Sequence, residues 1–357
     1  IHERIRANGV DLRLNTAVTA IGEHDVTLAG GSRLDADLVV LAIGVRPDSR
    51  LAQTAGVALT QRGAVIVDER MRTSVPDIYA VGDLVAKTDA IDASQTLIPL
   101  AQTANLQGRM VADAIMGRPA INRPVLGTSI VGVFGLQVGS TGWSEKRARA
   151  AGRDVRVIHT HPANHAGYYP GAATMHLKLV VDARTDAILG AQGVGEAGID
   201  KRIDVLATAI TGGIPAAELA ELELAYAPQF GSAKDPVNML GFVDANLRDG
   251  LMSAIQWHEL PAAVAAGATV LDVRSPAEHA VRAIPGSVLI PLDELRDRLD
   301  EVPAGDLVVH CAAGQRSYLA SRILTQHGRS VRNLDGGITT WADGQSVSTP
   351  QPPSVGQ

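Results

Sequence analysis

Short apolar runs and longer stretches with apolar residues every three or four positions follow one another along this chain. They predict a succession of strands and helices. Ile1, Ile5 and Val10 read as the middle of a helix running to Gly9, and residues 10–14 as a short strand. Val26-Thr27-Leu28 followed by Ala29-Gly30-Gly31-Ser32 reads as a hairpin, because paired glycines supply positive φ. Leu38-Val39-Val40-Leu41-Ala42-Ile43-Gly44 is a continuous apolar run, the pattern of a strand buried on both faces. It ends at Gly44, where backbone can approach a ligand. Residues 78–81 form a further apolar strand closed by Gly82-Asp83, which places a carboxylate to accept hydrogen bonds from a sugar or ribityl chain. Residues 95–116 carry Leu100, Ala104, Ala112 and Ile115 at helical spacing before the stop signal Gly117-Arg118-Pro119.

Strands at 131–134, 175–181 and 187–191 and helices at 201–211 and 216–224 predict a mixed strand-and-helix block over 124–245, followed by a connector at 246–257. From His258 the elements shorten and alternate: strands at 270–274, 284–292, 308–311 and 331–334, with helices at 292–299 and from Ser317. That alternation predicts an α/β unit with a parallel sheet over 258–344. The tail from Gln345, rich in Ser, Pro and Gln, predicts disorder.

Composition narrows the function classes. The 357 residues are enough for two or three domains, and 46% hydrophobic with 20% charged residues is ordinary for a globular chain. Aromatic residues make up 3%, so the cores must be built from Ala, Val, Leu and Ile. A net charge of -6 without a basic stripe argues against nucleic acid as a partner. No apolar run approaches the roughly 18 residues needed to cross a membrane. A single cysteine forms no internal disulfide, which suits a reducing cytoplasm. The opening Ile1-His2-Glu3-Arg4, without a strand to begin a domain, suggests a fragment whose N-terminal part is missing.

That one cysteine lies in Val308-Val309-His310-Cys311-Ala312-Ala313-Gly314-Gln315-Arg316-Ser317, a strand running into a helix. At such a turn backbone N–H groups and the helix dipole converge, favouring a thiolate and other anions. Gly314 permits a tight cradle, and Arg316 adds a positive charge. Phosphate-ester cleavage uses a similar loop with five residues between Cys and Arg. Here four residues separate Cys311 from Arg316, and the tighter loop suits a sulfur atom better than a tetrahedral phosphate.

Two other patterns carry less. Gly193-Val194-Gly195-Glu196-Ala197-Gly198 fits G-x-G-x-x-G, but no acidic residue ends a second strand about 20 residues on. It is rejected as a nucleotide site. His159, His161 and His165 could face a metal, yet no cysteine or carboxylate cluster nearby completes a ligand set, and no metal site is assigned.

The 38–47 strand and the segment Thr73-Ser74-Val75-Pro76-Asp77-Ile78-Tyr79-Ala80-Val81-Gly82-Asp83 resemble two signatures of the pyridine nucleotide-disulfide oxidoreductases. The resemblance implies that Gly82 and Asp83 meet the FAD ribityl chain and that Asn105, on the next helix, lies near the flavin ring. His165-Ala166-Gly167-Tyr168-Tyr169-Pro170-Gly171 and Tyr226-Ala227-Pro228-Gln229-Phe230-Gly231-Ser232-Ala233-Lys234-Asp235-Pro236 resemble the coenzyme A-disulfide reductase and NADH oxidase branch. They imply that Tyr168 (or Tyr169) and Tyr226 act over the active site of a partner subunit, and that Lys234 meets a coenzyme A phosphate. The His/Glu pair of a glutathione reductase-like branch is not found. Asp272-Val273-Arg274, Ile284-Pro285-Gly286, the Cys311 loop and Gly336-Gly337-Ile338-Thr339-Thr340-Trp341 resemble a single-domain rhodanese, with Arg282-Ala283 where that family often has Gly-His.

Together these resemblances imply an α/β and α+β multidomain chain. Residues 1–48 would end an NAD(P)-binding domain and 49–123 would be the C-terminal half of a Rossmann-like FAD domain. An α+β dimerisation domain at 124–245, a linker at 246–257, a rhodanese domain at 258–344 and a tail at 345–357 would follow. The implied function is an FAD-dependent NAD(P)H:coenzyme A-disulfide, persulfide or polysulfide reductase. Its rhodanese domain would carry a persulfide on Cys311, with Arg316 and Gly314 cradling the sulfur. FAD and NAD(P)H would bind only the full-length protein. The partners would be coenzyme A disulfides or persulfides, other small sulfane-sulfur compounds and a second copy of the chain. An NADH oxidase-like flavoenzyme carrying a rhodanese, and a dimeric sulfur-carrier scaffold, are the alternatives.

Overall fold

The structure, a computed structural model, describes residues 1–348. It falls into two compact units, residues 1–127 and the remainder of the described chain.

In the first unit, α1 (His2–Ala7) precedes a three-stranded antiparallel sheet of β1 (Val18–Ile21), β2 (Asp25–Leu28) and β3 (Arg33–Asp35). The Gly30-Gly31 hairpin joins β2 to β3, both glycines at positive φ. After α2 (Arg50–Thr54), a small core of Val57, Val65 and Val85 holds an irregular segment together. Then come the short pair β4 (Lys87–Thr88) and β5 (Gln95–Thr96) and the helix α3 (Ala101–Ile115).

Three expected strands are not there. Residues 10–14 and 38–44 form no strand, and 78–81 make only a single bridge between Arg72 and Tyr79. Leu38, Val40 and Ile43 are 82%, 78% and 88% exposed. A strand apolar on both faces needs neighbours in a sheet and helices on each side. The described residues of this unit place neither beside it. The helix expected from residue 95 starts at Ala101, because Gln95–Thr96 pairs with β4 instead.

The second unit contains two sheets. The first is antiparallel in the order β6-β7-β10-β9-β8: β6 (Ser129–Val133), β7 (Leu136–Gly142), β8 (Val155–Thr160), β9 (Met175–Asp182) and β10 (Ile188–Gly195), with the short α4 (Glu145–Ala150) between β7 and β8. α5 (Ile199–Gly212) and α6 (Pro236–Arg248) pack on it around Leu177, Leu179, Leu206 and Leu240. The stretch expected as a helix at 216–224 is a 3-10 turn at Ala216–Glu221. The G-x-G pattern at 193–198 has a packing explanation: a Cβ on Gly193 would lie 3.1 Å from the side chains of Ile199 and Leu177. Glycine there lets α5 lie close on the sheet.

The second sheet is parallel throughout, in the order β11-β15-β14-β12-β13. Its strands are β11 (Ala254–Ile255), β12 (Thr269–Asp272), β13 (Val288–Leu289), β14 (Leu307–His310) and β15 (Val331–Leu334). Helices α7 (Leu260–Ala265), α8 (Pro276–Val281), α9 (Gln315–Gln326) and α10 (Gly337–Ser348) connect and cover them. Two apolar clusters result, one around Leu271, Val309 and Leu324 and one around Ile255, Val308 and Leu334. The expected helix at 292–299 is a series of turns. Residues 246–257 are not a free connector: α6 runs to Arg248, and Ala254–Ile255 is the edge strand β11. Gln345–Ser348, expected as the start of an unstructured tail, completes α10, and the remainder of that expected tail lies outside the described residues.

Candidate active site

The strand β14 is the middle strand of the parallel sheet and is buried along its whole length. Cys311 follows at its C-terminal end, where open α/β sheets place their ligands. The chain then passes Gly314, at φ +102°, into α9. Cys311 is 2% exposed, and its Sγ accepts a hydrogen bond from the Gly314 N–H at 3.1 Å. The Ser317 hydroxyl lies 3.4 Å from Sγ and 3.1 Å from the Gly314 carbonyl, and can donate to either.

A second helix holds the other side of the loop. The first turn of α10 receives the loop's carbonyls: Ile338 N–H donates to Cys311 O at 2.9 Å and Thr339 N–H to Ala312 O at 3.1 Å. Gly337, at φ +62°, makes this approach possible, since a Cβ there would lie 2.6 Å from Cys311 O. With both carbonyls engaged on that side, the sulfur faces donors.

Arg316 does not stand as an isolated positive charge. Its guanidinium forms a forked pair with Glu278 of α8, at 2.8 and 2.6 Å. Arg316 holds the Glu278 carboxyl down to about 2. Glu278, and after it the Cys311 sulfur, raise the basicity of Arg316. The guanidinium thus serves carboxylate and sulfur together. Glu278 is also the third residue of a capping box: Ser275 donates to it through both N–H and hydroxyl at 3.0 Å.

Beneath the loop, Asp272 is fully buried and accepts from Arg274 Nη2 at 2.6 Å, while His279 Nδ1 lies 2.9 Å away. Burial works against its charge, but Arg274, His310 and His279 hold the carboxyl below the usual range. His310, also fully buried, has Nε2 3.7 Å from Asp272 and no hydrogen-bond partner for that nitrogen among the described residues. Burial pushes His310 down to about 4.

The tyrosines of the first sheet's loops come together. Tyr168 and Tyr226 are exposed, and their hydroxyls are hydrogen-bonded to each other, which raises the Tyr226 phenol. Tyr169 instead packs edge-on against His165. A buried arginine ties the two loops: Arg202 Nη2 donates to Asn164 O at 2.8 Å and to Asp235 at 2.9 Å. Lys234 lies over the Phe242 ring at 5.2 Å. In the first unit, Gly82 (φ +85°) opens a 3-10 turn against α3, its N–H donating to the Gln107 side chain at 2.8 Å. Asp83 and Asn105 are exposed beside that contact, whereas Gly44 sits in the strandless, exposed 38–44 segment.

His159 and His161 make protein contacts instead. His159 Nδ1 lies 2.7 Å from Asp335 Oδ2, and its N–H donates to the same carboxylate. His161 bridges His176 at 2.9 Å and Thr340 at 2.7 Å. Burial, with His176 and His159 close by, pushes His161 down to about 3. These contacts fasten β8 and the residue after it to Asp335, just ahead of α10, and to Thr340 in the first turn of α10, the turn that grips the Cys311 loop. Glu278, Asp335 and the Gly336-Gly337 approach were missed from sequence as parts of the site. The capping pattern Ser275-x-x-Glu278 was the available signal for the first.

Residues 1–108 match the pyridine nucleotide-disulphide oxidoreductase family, residues 128–236 the dimerisation domain of that family, and residues 256–343 the rhodanese-like domain. The chain belongs to the pyridine nucleotide-disulphide oxidoreductases. Its fold is accordingly mixed α/β, with a rhodanese domain built on a parallel sheet. It is similar to a reduced CoADR-RHD from Bacillus anthracis, at 44% identity and TM-score 0.93, over 96% of this chain and 62% of that one. A NAD-dependent persulfide reductase from A. fulgidus gives 40% identity and TM-score 0.88 over 95% and 62%. A coenzyme A disulfide reductase of Staphylococcus haemolyticus is 33% identical over 243 residues, 68% of this chain and 55% of the relative. The chain thus spans a little over half the length of the curated relative. No helix among the described residues is long and apolar enough to cross a membrane.

Proposed function

We propose that this protein is an FAD-dependent NAD(P)H:coenzyme A-disulfide, persulfide or polysulfide reductase whose rhodanese domain carries sulfane sulfur on Cys311. The observation that carries the reading is the cradle itself: a buried thiol, faced by the Gly314 N–H and the Ser317 hydroxyl, with Arg316 beside it. As the family resemblance implies, a bound FAD would supply two-electron transfer between NAD(P)H and a disulfide or persulfide. Asp83, exposed beside the Gly82 turn, has the acceptor chemistry that a polyol chain requires, and Asn105 lies on the adjoining helix. Gly44 would lie on the nicotinamide side.

On the rhodanese side, the Cys311 thiolate attacks the sulfane sulfur of a donor. The donor's S–S bond breaks and its electron pair leaves with the departing group. The new S–S bond leaves a persulfide anion whose terminal sulfur takes the place of the thiolate charge within reach of the same donors. An acceptor thiolate then attacks that terminal sulfur and leaves as its own persulfide, restoring the Cys311 thiolate. In a homodimer, Tyr168 and Tyr226 would present their paired hydroxyls to the partner's active site, and Lys234 would meet a coenzyme A phosphate. A free thiol and a nicotinamide reductant fit a cytoplasmic setting.

The test is sulfur transfer from a sulfane donor to cyanide, read as thiocyanate. Cys311→Ser should abolish it while leaving NAD(P)H oxidation by coenzyme A disulfide in the intact protein. Equal thiocyanate from both proteins would overturn the assignment.

A further inference from the structure

The loop from Cys311 to Arg316 contains one cation, and the structure shows where its charge goes. Arg316 is held in a forked pair by Glu278. Glu278 cannot swing away freely, because Ser275 binds the same carboxylate through two hydrogen bonds at 3.0 Å as part of the α8 capping box. Both members of the pair are 37% exposed, so they sit at the rim, where an arriving donor meets them. Arg274, four residues before Glu278, is tied to the buried Asp272. An incoming anion therefore meets a neutralised Arg316, a fixed carboxylate and, below them, the Cys311 sulfur.

We propose that Glu278 is a specificity-determining residue: it masks Arg316 so that the site discriminates against small dianionic sulfur donors and favours monoanionic persulfides. The inference deepens the sulfur-transfer reading and rests on it. The step at issue is the same for either donor. The thiolate takes the outer sulfur of thiosulfate, E–S⁻ + S–SO₃²⁻ → E–S–S⁻ + SO₃²⁻, with the S–S electron pair leaving on sulfite. With a monoanionic thiosulfonate the leaving group is the sulfinate. The difference between the two lies in the charge brought up to the rim, where an Arg316 freed of Glu278 attracts a dianion about twice as strongly as a monoanion. Glu278 remains ionised throughout the working range, since Arg316 holds its carboxyl down to about 2.

The experiment compares thiosulfate with benzenethiosulfonate as donors to cyanide, in the full protein, at low ionic strength. Glu278→Gln keeps an oxygen for the capping box and removes the charge. It should raise kcat/KM for thiosulfate about tenfold and for benzenethiosulfonate about threefold. The shift in their ratio should collapse at about 0.5 M salt. Arg316→Gln should lower both. An unchanged donor ratio in Glu278→Gln, or a fall in thiosulfate use, would overturn the mask while leaving sulfur transfer by Cys311 standing. Equal transfer by wild type and Cys311→Ser would instead remove the underlying reading, and the mask with it. Thiosulfate binding to Cys311→Ser, with and without Glu278→Gln, measures the same discrimination without turnover. Tighter binding in the double variant is the expected result, and equal affinity overturns the mask.

Discussion

His310 sets a pH limit on the sheet that carries Cys311. It is fully buried on β14, with Nε2 unpartnered among the described residues and Asp272 too distant for a hydrogen bond. Burial pushes its ring down to about 4, against 6.5 in an unfolded chain. Between those values the unfolded state binds more protons than the folded one, so stability falls as pH falls. The loss starts as pH drops through about 6.5 and is complete once pH passes below about 4. At pH 5 the unfolded ring is almost wholly protonated and the folded ring mostly neutral. Integrating over that interval gives about 2 kcal/mol lost relative to pH 8. Glu278, whose carboxyl sits near 2 in the fold, loses its contribution mainly below its ordinary value of 4.5, beneath the pH 5 end of this comparison. Asp244, raised to about 6 chiefly by burial, acts in the same window with the opposite sign, but it is common to wild type and variant and cancels in their difference.

The perturbation is His310→Leu, close in volume and without a titrating group, expected to cost about 1 kcal/mol or less at pH 7.5. Urea unfolding followed by tryptophan fluorescence suits the measurement, because Trp341 packs against the cluster that includes Val308 of β14. Wild type should lose about 2 kcal/mol more than the variant between pH 7.5 and pH 5. Parallel pH profiles for the two proteins would refute the account.

Two further variants probe how the loop is held. Gly337→Ala would set a methyl 2.6 Å from Cys311 O at a positive φ, and should cost about 3 kcal/mol or more. That corresponds to a fall of about 10 °C in Tm by calorimetry, accompanied by loss of sulfur transfer. Asp335→Asn removes the charged acceptor shared by His159 and Gln256 and should cost about 2 kcal/mol. Hydrogen exchange over 336–340 should accelerate, and unchanged exchange there would show that the contact does not hold α10.

How much of this was legible depended on sequence distance. The Cys311 loop could be read because strand, glycine, arginine and helix lie within ten residues, and its fold follows from local periodicity. The Glu278–Arg316 pair spans 38 residues and the His159–Asp335 contact 176, and no local pattern announces either. The 38–44 run shows the opposite error. Its apolar pattern is a correct signal for a strand buried on both faces, but pattern expresses what a segment requires, and the described residues of its unit do not supply it. Residues 246–257 failed for a related reason: two residues suffice for an edge strand when β15 offers a partner, and so short a run has no readable period.

The same distinction governs the active site. The motif places sulfur, glycine and arginine, but the sulfur's surroundings are set from three separate segments. α10 takes up the loop carbonyls, α8 engages the arginine, and β8 holds the turn into α10 through Asp335. A cysteine loop with this spacing but without Glu278 would have the same sulfur geometry and one more free positive charge at its rim. It follows that donor choice can change on α8, 38 residues from Arg316, without any change in the loop that performs the transfer.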